Sequence, residues 1–463
     1  MAEQLDQPMD MAQPLPETMR FSEVAERSAP ATIQERSFSP SNGASFDPAT
    51  SKNIRIPIAV SHGQMLDPRH SYISFDVKVK LGAEPAAPAS DSIVFLDSGV
   101  EGLIETYSII GSDGAILERC VNSHYMAQAL KTIRSSTNNN AEQITSGFNG
   151  SAPNLGAKYL FPASANTSGD TQTKTFTFNI SLSALLNCDR LLPVGFLAGS
   201  AMSLDLQLTP SATALCGVNC TALTYTLTNV SYNASIITYD QATVSLLQAL
   251  MNEVGGVQIH SKGWSQLGTN SIGSQSGGGA VPQTISLPCR TRSTIALVHL
   301  MRDATDVVDE ANASISTRRT RNITQYQHSI GGVRYPIRPV SSISTDNPAA
   351  PFVQLQKTFY TLNGQHPGGV LSLGTTGSDV GAAATYNYYA ASDAGCSFMV
   401  VQGFETAPGS KLESGIDLSS QNSNIQFELT MTPSTSNATQ IDSYVYADRL
   451  YTFTASGTVL ASN

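Results

Sequence analysis

Two segments far apart in the chain share one pattern. Met202-Ser-Leu-Asp-Leu-Gln-Leu-Thr-Pro210 and Ile425-Gln-Phe-Glu-Leu-Thr-Met-Thr-Pro433 both alternate apolar and polar residues. Both carry an acid at the fourth place and end in Thr-Pro. Alternation with period two is the mark of a strand with one buried face. Each segment leads into a Ser/Thr/Asn/Ala-rich loop and then a Tyr-rich strand, over 223–239 in one case and 443–453 in the other. The chain therefore reads as a duplicated all-β unit of roughly 200 residues, an architecture suited to a building block.

Length and composition agree. Of 463 residues, about 410 remain after an N-terminal arm, enough for two β-domains of ordinary size. Only 13% of residues are charged and 7% aromatic, so Lys and Glu, the charged helix formers, are scarce and small turn-forming residues dominate. The formal net charge is −10 and the pI about 5.2. An acidic chain without a basic tail is poorly suited to direct nucleic-acid binding or to charge-driven attachment to anionic lipid. No apolar run approaches the ~20 residues of a membrane helix. Residues 1–20 hold acids and prolines where a signal peptide needs a basic and then an apolar stretch. Asn166-Thr-Ser and Asn229-Val-Ser are then products of a Ser/Thr-rich composition.

The pass along the chain gives five parts. Residues 1–50, rich in Gln, Pro, Ser, Met and Glu, form an N-terminal arm, extended or disordered. Two readings stay open for it, a plain tail or a segment that orders against a neighbouring subunit. The first β-domain spans 51–240, a linker helix 241–255, the second β-domain 256–455 and a C-terminal tail 456–463. In the first domain, Lys52–Val60 is a strand with Pro57 at an edge. Met65–Arg69 reads as a turn, and Ser71–Leu81 alternates strictly. Gly102–Ile110 and Ala115–Cys120 flank a hairpin signal, Gly111-Ser-Asp-Gly114. Residues 121–134 carry an apolar stripe from Val121 through Tyr125 and Ala129 to Ile133, as an amphipathic helix does. Residues 135–173 read as a long loop. Asp240 is an N-cap for 241–254, with Gly255-Gly256 as the stop. In the second domain, strands are expected near 257–264, 283–287, 294–302, 397–404, 425–432 and 443–454, a helix at 352–362, and Gly/Ser-rich loops at 268–279 and 364–394.

No constellation carries chemistry. The chain has no Gly-x-Ser-x-Gly elbow, no phosphate-binding Gly-x-x-x-x-Gly-Lys loop and no His-Glu-x-x-His. His62, His70, His124, His260, His299, His328 and His366 stand singly, whereas metal ligands come in clusters. Asp303 with Asp306, and Asp309 with Glu310, lie in a polar stretch expected to face water. Cys120, Cys188, Cys216, Cys220, Cys289 and Cys396 are spread out, and only Cys216 and Cys220 are close enough for a local disulfide. Buried thiols in a reducing compartment are the simpler reading. Arg318, Arg319 and Arg321, with Arg334 and Arg338 beyond, are the one basic cluster. A salt-bridging surface explains it without nucleic acid. No catalytic, cofactor or metal residue is assigned, and no enzyme is expected.

The order of elements resembles the double jelly-roll major capsid proteins, the hexon-type units of tailless membrane-containing phages, adenoviruses, virophages and Polinton-like viruses. Four places carry the resemblance. Asn53–Val60 with Leu66–Phe75 looks like the first B-to-C passage of that lineage. Glu101–Gly111 to Ile116-Leu-Glu, followed by a helix, looks like its next hairpin. Leu191-Leu-Pro-Val, Met202–Pro210 and 223–239 look like the close of the first barrel, and Ser414-Gly-Ile-Asp-Leu, Ile425–Pro433 and 442–453 like the close of the second. The resemblance implies an all-β fold of two eight-stranded jelly-roll sandwiches side by side. It implies a homotrimeric, pseudo-hexagonal capsomer tiling an icosahedral virion shell. The partners implied are sister copies, neighbouring capsomers, minor capsid or penton proteins, and an internal membrane met through the N-terminal arm. A receptor- or glycan-binding spike or vertex protein is the alternative, suggested by the long small-residue loops.

Overall fold

Alternation decides where the strands lie. In β3 (Asn53–Ala59) Ile54, Ile56 and Ile58 are buried while Asn53, Arg55 and Pro57 face outward. Each buried Ile or Leu of this kind contributes about 1.5–3 kcal/mol, so a one-residue slip would turn the whole set to water. The computed structural model describes residues 31–82, 90–134, 140–148, 156–304, 314–344, 349–359, 396–406, 414–419, 425–454 and 456–462.

The first half contains β1 (Ala31–Phe38), β2 (Ser45–Phe46), β3, β4 (Gln64–Lys80), β5 (Ser92–Leu96), β6 (Ile104–Ile110) and β7 (Ile116–Cys120). Helices α1 (Ser123–Arg134) and α2 (Asn140–Thr145) follow. Then come β8 (Lys158–Phe161), β9 (Thr171–Phe178), β10 (Ala201–Leu208), the single turn α3 (Ser211–Ala214), β11 (Leu215–Val218) and β12 (Thr224–Tyr239). Helix α4 (Gln241–Val254) joins the halves. Asp240 Oδ1 accepts from Thr243 N at 3.2 Å, and Gly255 closes the helix at φ 84°, as the sequence predicts. The second half holds β13 (Gly256–Ile272), β14 (Val281–Ser286), β15 (Thr294–Asp303), β16 (Gln325–Ile330), β17 (Val333–Ser341), helix α5 (Ala349–Thr358), β18 (Val400–Gly403), β19 (Ile425–Met431), β20 (Thr439–Thr454) and β21 (Val459–Ser462).

Two sheets in each half share one plan. In the first half the orders are β1-β12-β4-β9 and β3-β10-β6-β7. In the second they are β13-β20-β15-β18 and β14-β19-β16-β17. The short strands β2, β5, β8, β11 and β21 lie outside these paths. Counting the remaining strands along the chain, one sheet takes the first, eighth, third and sixth, and its mate takes the second, seventh, fourth and fifth. Both halves obey this order, and it is the order of a jelly roll. The two repeated segments are thus equivalent: β10 and β19 each stand second in a four-stranded sheet, as the seventh strand of their roll.

Several expectations are corrected. The boundary at residue 51 falls too late, because β1 pairs with β12 from Ala31 opposite Tyr239 to Phe38 opposite Tyr232. β1 is the first strand of the roll, so Asn53–Val60 is the second. It escapes a pattern reading because it joins the sheet through its backbone while its side chains stay mostly exposed. The remainder of the expected arm, 1–30, lies outside the described residues. Met65–Arg69 is no turn. β4 runs straight through it with a bulge, where Ser71 Oγ bonds to Asp67 O and accepts from Ser235 N. The described part of the loop expected at 135–173 holds α2, β8 and the first residues of β9. β13 runs on to Ile272, into the expected 268–279 loop, and the tail at 456–463 contributes β21, which pairs with β20. The loop at 364–394 lies outside the described residues.

Candidate functional site: the buried seam between the rolls

β15 is buried along its whole length. A strand in a sandwich normally shows one face to water, so its second face is covered too. His299 points into the second roll, and Arg302, three residues on, points to the opposite side. There the Arg302 guanidinium lies over the ring of Tyr125 of α1, 4.1 Å from the centroid. Its Nε donates to Asp442 Oδ2 of β20 at 2.5 Å. Burial opposes the Arg302 charge, but Asp442 and its neighbours outweigh burial and raise its pKa. Burial, with Arg302 nearby, lowers the His124 pKa to about 3. The Tyr444 hydroxyl of β20 donates to Asn122 O at 2.7 Å, just before α1. α1 is thus one element of the first roll on which the second roll rests.

A second contact lies beside it. Glu118 of β7 is 1% exposed, and its carboxylate accepts from Tyr107 Oη, Ser183 Oγ, Ala184 N and Leu185 N at 2.8–3.2 Å. Three of these four donors come from the 183–185 loop and fix it against β7, while Tyr107 holds the carboxylate from β6. The loop then meets β13: Trp264 N donates to Leu182 O at 3.2 Å and Ser261 Oγ to Ala184 O at 2.7 Å. Gly263 sits at the closest approach. A Cβ there would stand 2.6 Å from Ala184 Cβ, so only glycine fits without a shift. Trp264 stacks on Tyr446 with centroids 4.7 Å apart. Burial opposes the charge of Arg449 in β20, but Glu118 across the seam together with Tyr451 and Tyr107 outweighs it and raises the Arg449 pKa.

A third contact joins the turn after β5, and α1, to residues 314–318. Asp97 Oδ2 accepts from Ile315 N at 2.5 Å and Ser316 N at 3.3 Å. Burial pushes its pKa up to about 6 against the pull of these bonds. Arg318 Nη1 donates to Gln128 Oε1 of α1 at 2.7 Å, and its Nη2 to Ser397 O at 3.0 Å.

These positions differ from several expectations. Arg318 and Arg321 form no surface patch; they are 2% and 1% exposed and serve different partners. Arg321 Nη2 pairs with Asp303 Oδ2 at 2.7 Å, so Asp303 is a buried ion-pair partner, not a solvent-facing acid. Asp306, Asp309, Glu310 and His366 lie outside the described residues. Two histidines thought single meet: His299 and His328 Nε2 atoms are 2.9 Å apart, with Phe427 stacked at 4.1 Å from His299. Burial holds His299 well below its ordinary pKa and His328 at about 3. The six cysteines are free and buried, Cys216 and Cys220 included. Among the described residues no group of three His, Cys, Asp or Glu gathers as a metal site. A cleft of about 720 Å³ runs along the seam, with Asp189 and Arg190 on one wall and His260 and Lys262 on the other. Lys262 is held by Glu405 at 3.2 Å, and His260 lies 3.2 Å from Asp448.

The outer faces of the two four-stranded sheets carry the repeated acids. Asp205 of β10 pairs with Arg55 of β3 at 2.6 Å, and Glu428 of β19 lies 4.0 Å from Arg334 of β17. Sequence reading found the acids but not the seam, since Asp97, Gln128, Arg302 and Asp442 form no short motif. The apolar stripe containing Tyr125 was its one visible trace.

No protein-family model matches the sequence, and no curated protein matches it. Solved structures do. The structure of PBCV-1 VP54 fitted into a reconstruction of the virophage Sputnik is similar at a TM-score of 0.57 and 11% identity, over 96% of this chain and 99% of that one. The Faustovirus major capsid protein matches at 0.55 and 7% identity, over 91% and 90%. The Sputnik virophage structure matches at 0.53 and 10%, over 93% and 88%. Sequence identity this low speaks to fold alone, and that fold agrees with the strand order traced above. The chain carries the double jelly-roll fold that these capsid structures share.

Proposed function

We propose that this chain is a structural major capsid protein, a homotrimer whose pseudo-hexagonal capsomers tile an icosahedral virus shell. The observation that carries the reading is the pair of rolls with identical strand order, locked by a buried polar seam. Two like domains in each of three chains approximate six-fold packing, which lets trimers tile like hexagons. Tiling needs a fixed angle between the rolls. The contacts of Arg302 with Tyr125, of Trp264 and Ser261 with the 182–184 loop, and of Asp97 with Ile315 supply it, because each crosses between the rolls and is lost if they shift. In this account the work of the molecule is shape and interface, not catalysis, and it is done in the virion. Hexagonal units cannot fill five-fold vertices, so a penton or minor capsid protein is a further partner.

Membrane contact through the N-terminal arm is not part of the proposal. Residues 1–30 carry six acids against two arginines, a composition that an anionic bilayer repels. No described helix is long and apolar enough to cross a membrane. No observation favours the receptor- or glycan-binding alternative; of the long small-residue loops that suggest it, 364–394 lies outside the described residues. Sedimentation velocity of the purified chain tests the proposal: trimers and larger assemblies are expected, and a monomer that persists at high concentration would overturn it.

A further inference from the structure

α4 is apolar on two sides. Val244 and Met251 are buried against the rolls, with Val244 in contact distance of Gly63. On the other side Leu246, Leu250 and Val254, spaced four apart, are 72%, 49% and 68% exposed. Residues at i, i+4 and i+8 form one continuous stripe. A helix apolar on both sides is normally covered on both. Ile33 of β1, 71% exposed, adds to the same end of the molecule, because it pairs with Ile237 at the strand end that feeds α4.

Three observations say what covers the stripe. The described chain begins at Ala31, opposite Tyr239, two residues before α4 starts. Ala31, to which residues 1–30 are joined, therefore lies at the foot of this helix. A helix of this length spans roughly 20 Å, and a thirty-residue segment reaches about 100 Å when extended, so the stripe is well within range. The segment also has the right chemistry. It holds four of the eleven methionines, Met1, Met9, Met11 and Met19, together with Leu5, Leu15, Phe21 and Val24. Unbranched methionines adapt to irregular apolar surfaces. Finally, α4 contains no Lys or Arg, which an interfacial helix uses to hold anionic lipid. From these facts we infer that the outer face of α4 is the docking site for residues 1–30 of the same chain. Docking would tie the N-terminal segment to the helix that joins the rolls. The inference goes beyond the capsid reading and does not depend on it.

Hydrogen–deuterium exchange on the full chain and on a chain lacking residues 1–30 tests it. In the full chain the amides of 241–254 should exchange roughly tenfold more slowly than in the truncated one, since cover suppresses local opening. The Leu246→Ser/Leu250→Ser variant of the full chain should be cut by trypsin after Arg20 and Arg27 roughly tenfold faster, as a freed segment is. Its thermal transition, followed by Trp264 fluorescence, should stay in place. Equal exchange of α4 with and without residues 1–30 would overturn the inference. So would protection of α4 in truncated chains on mixing with full-length chains, which would assign the cover to a neighbour. Protection that appears only with phosphatidylglycerol vesicles would assign it to lipid and overturn the inference as well. Sedimentation of the same samples reports the trimer separately, so either reading can fail while the other stands.

Discussion

Arg302 of the second roll lies flat over Tyr125 of the first, 4.1 Å from guanidinium carbon to ring centroid. The contact joins the two rolls through a cation that is also ion-paired with Asp442 at 2.5 Å. All three residues are buried. A buried cation with its partner removed is costly, on the order of 3–5 kcal/mol, while an apolar replacement of the whole pair is often neutral. Asp442→Asn should therefore destabilise the protein by about that much in urea unfolding. The double variant Arg302→Met/Asp442→Leu should recover most of the loss. A double variant no more stable than Asp442→Asn would show that the pair does not act as a unit.

Gly263 makes the rolls sensitive to a single methyl group. With Ala184 Cβ only 2.6 Å from where a Cβ would stand, Gly263→Val should force the β13 contact apart and cost about 1–3 kcal/mol, as overpacking does. Gly273, with open space around it and no left-handed backbone, is the control site: Gly273→Val should move the transition much less. Equal effects at both would mean that the seam yields freely.

Trp264, the only tryptophan, sits in the seam, 2% exposed and stacked on Tyr446. Its fluorescence reports opening between the rolls, while far-UV circular dichroism reports strands. A seam of buried charges that holds both rolls should make the two signals change together on urea unfolding. A fluorescence transition well before the loss of strands would indicate rolls that separate first. Trp264→Ala should cost about 3–5 kcal/mol.

The buried histidines set an acid limit. His124 and His328 have folded pKa values near 3, below the ordinary 6.5, and His299 is lowered too. A base held neutral in the fold takes up its proton only on unfolding. These groups therefore support the fold fully above pH 6.5 and lose that support as pH falls toward 3. For His328 alone the loss is on the order of 5 kcal/mol. Asp97 acts in the opposite sense. Its pKa, raised to about 6, favours the fold below pH 3.8 and costs stability as pH rises through 6. Three histidines outweigh one carboxyl, so stability should drop between pH 6.5 and 4. Replacing both partners, His299→Leu/His328→Leu, should flatten that drop. An unchanged pH profile would contradict the assignment.

The cysteine reading can be counted. All six thiols are free and buried, and burial pushes Cys120 up to about 12 and Cys188 up to about 11. A thiol reagent at neutral pH should react slowly with the native chain and titrate all six after denaturation without reductant. Four thiols would indicate a Cys216–Cys220 disulfide.

The legible part of this fold was the part written in period two. β10 and β19 alternate along their whole length, and so their equivalence in the two rolls could be read from Met202–Pro210 and Ile425–Pro433. Helix α4 was legible because Asp240 and Gly255 mark its ends. β1 was not, because Ala31–Phe38 is an edge strand with mostly exposed side chains and nothing to alternate. Asp67-Pro68 has the composition of a turn, and only its pairing with β12 turns it into a bulge. The seam was hidden for a different reason. Arg302, Tyr125 and Asp442 are brought together by strand register and roll packing, which no local spacing encodes. His299 and His328 likewise meet across a sandwich.

The central claim is that three copies of this chain build one six-cornered tile. Electron microscopy of the purified full-length protein tests it most directly. Class averages viewed down the particle axis should show three-fold particles with six similar lobes, two from each chain. Single two-lobed particles at every concentration, with no three-fold assembly, would contradict the account.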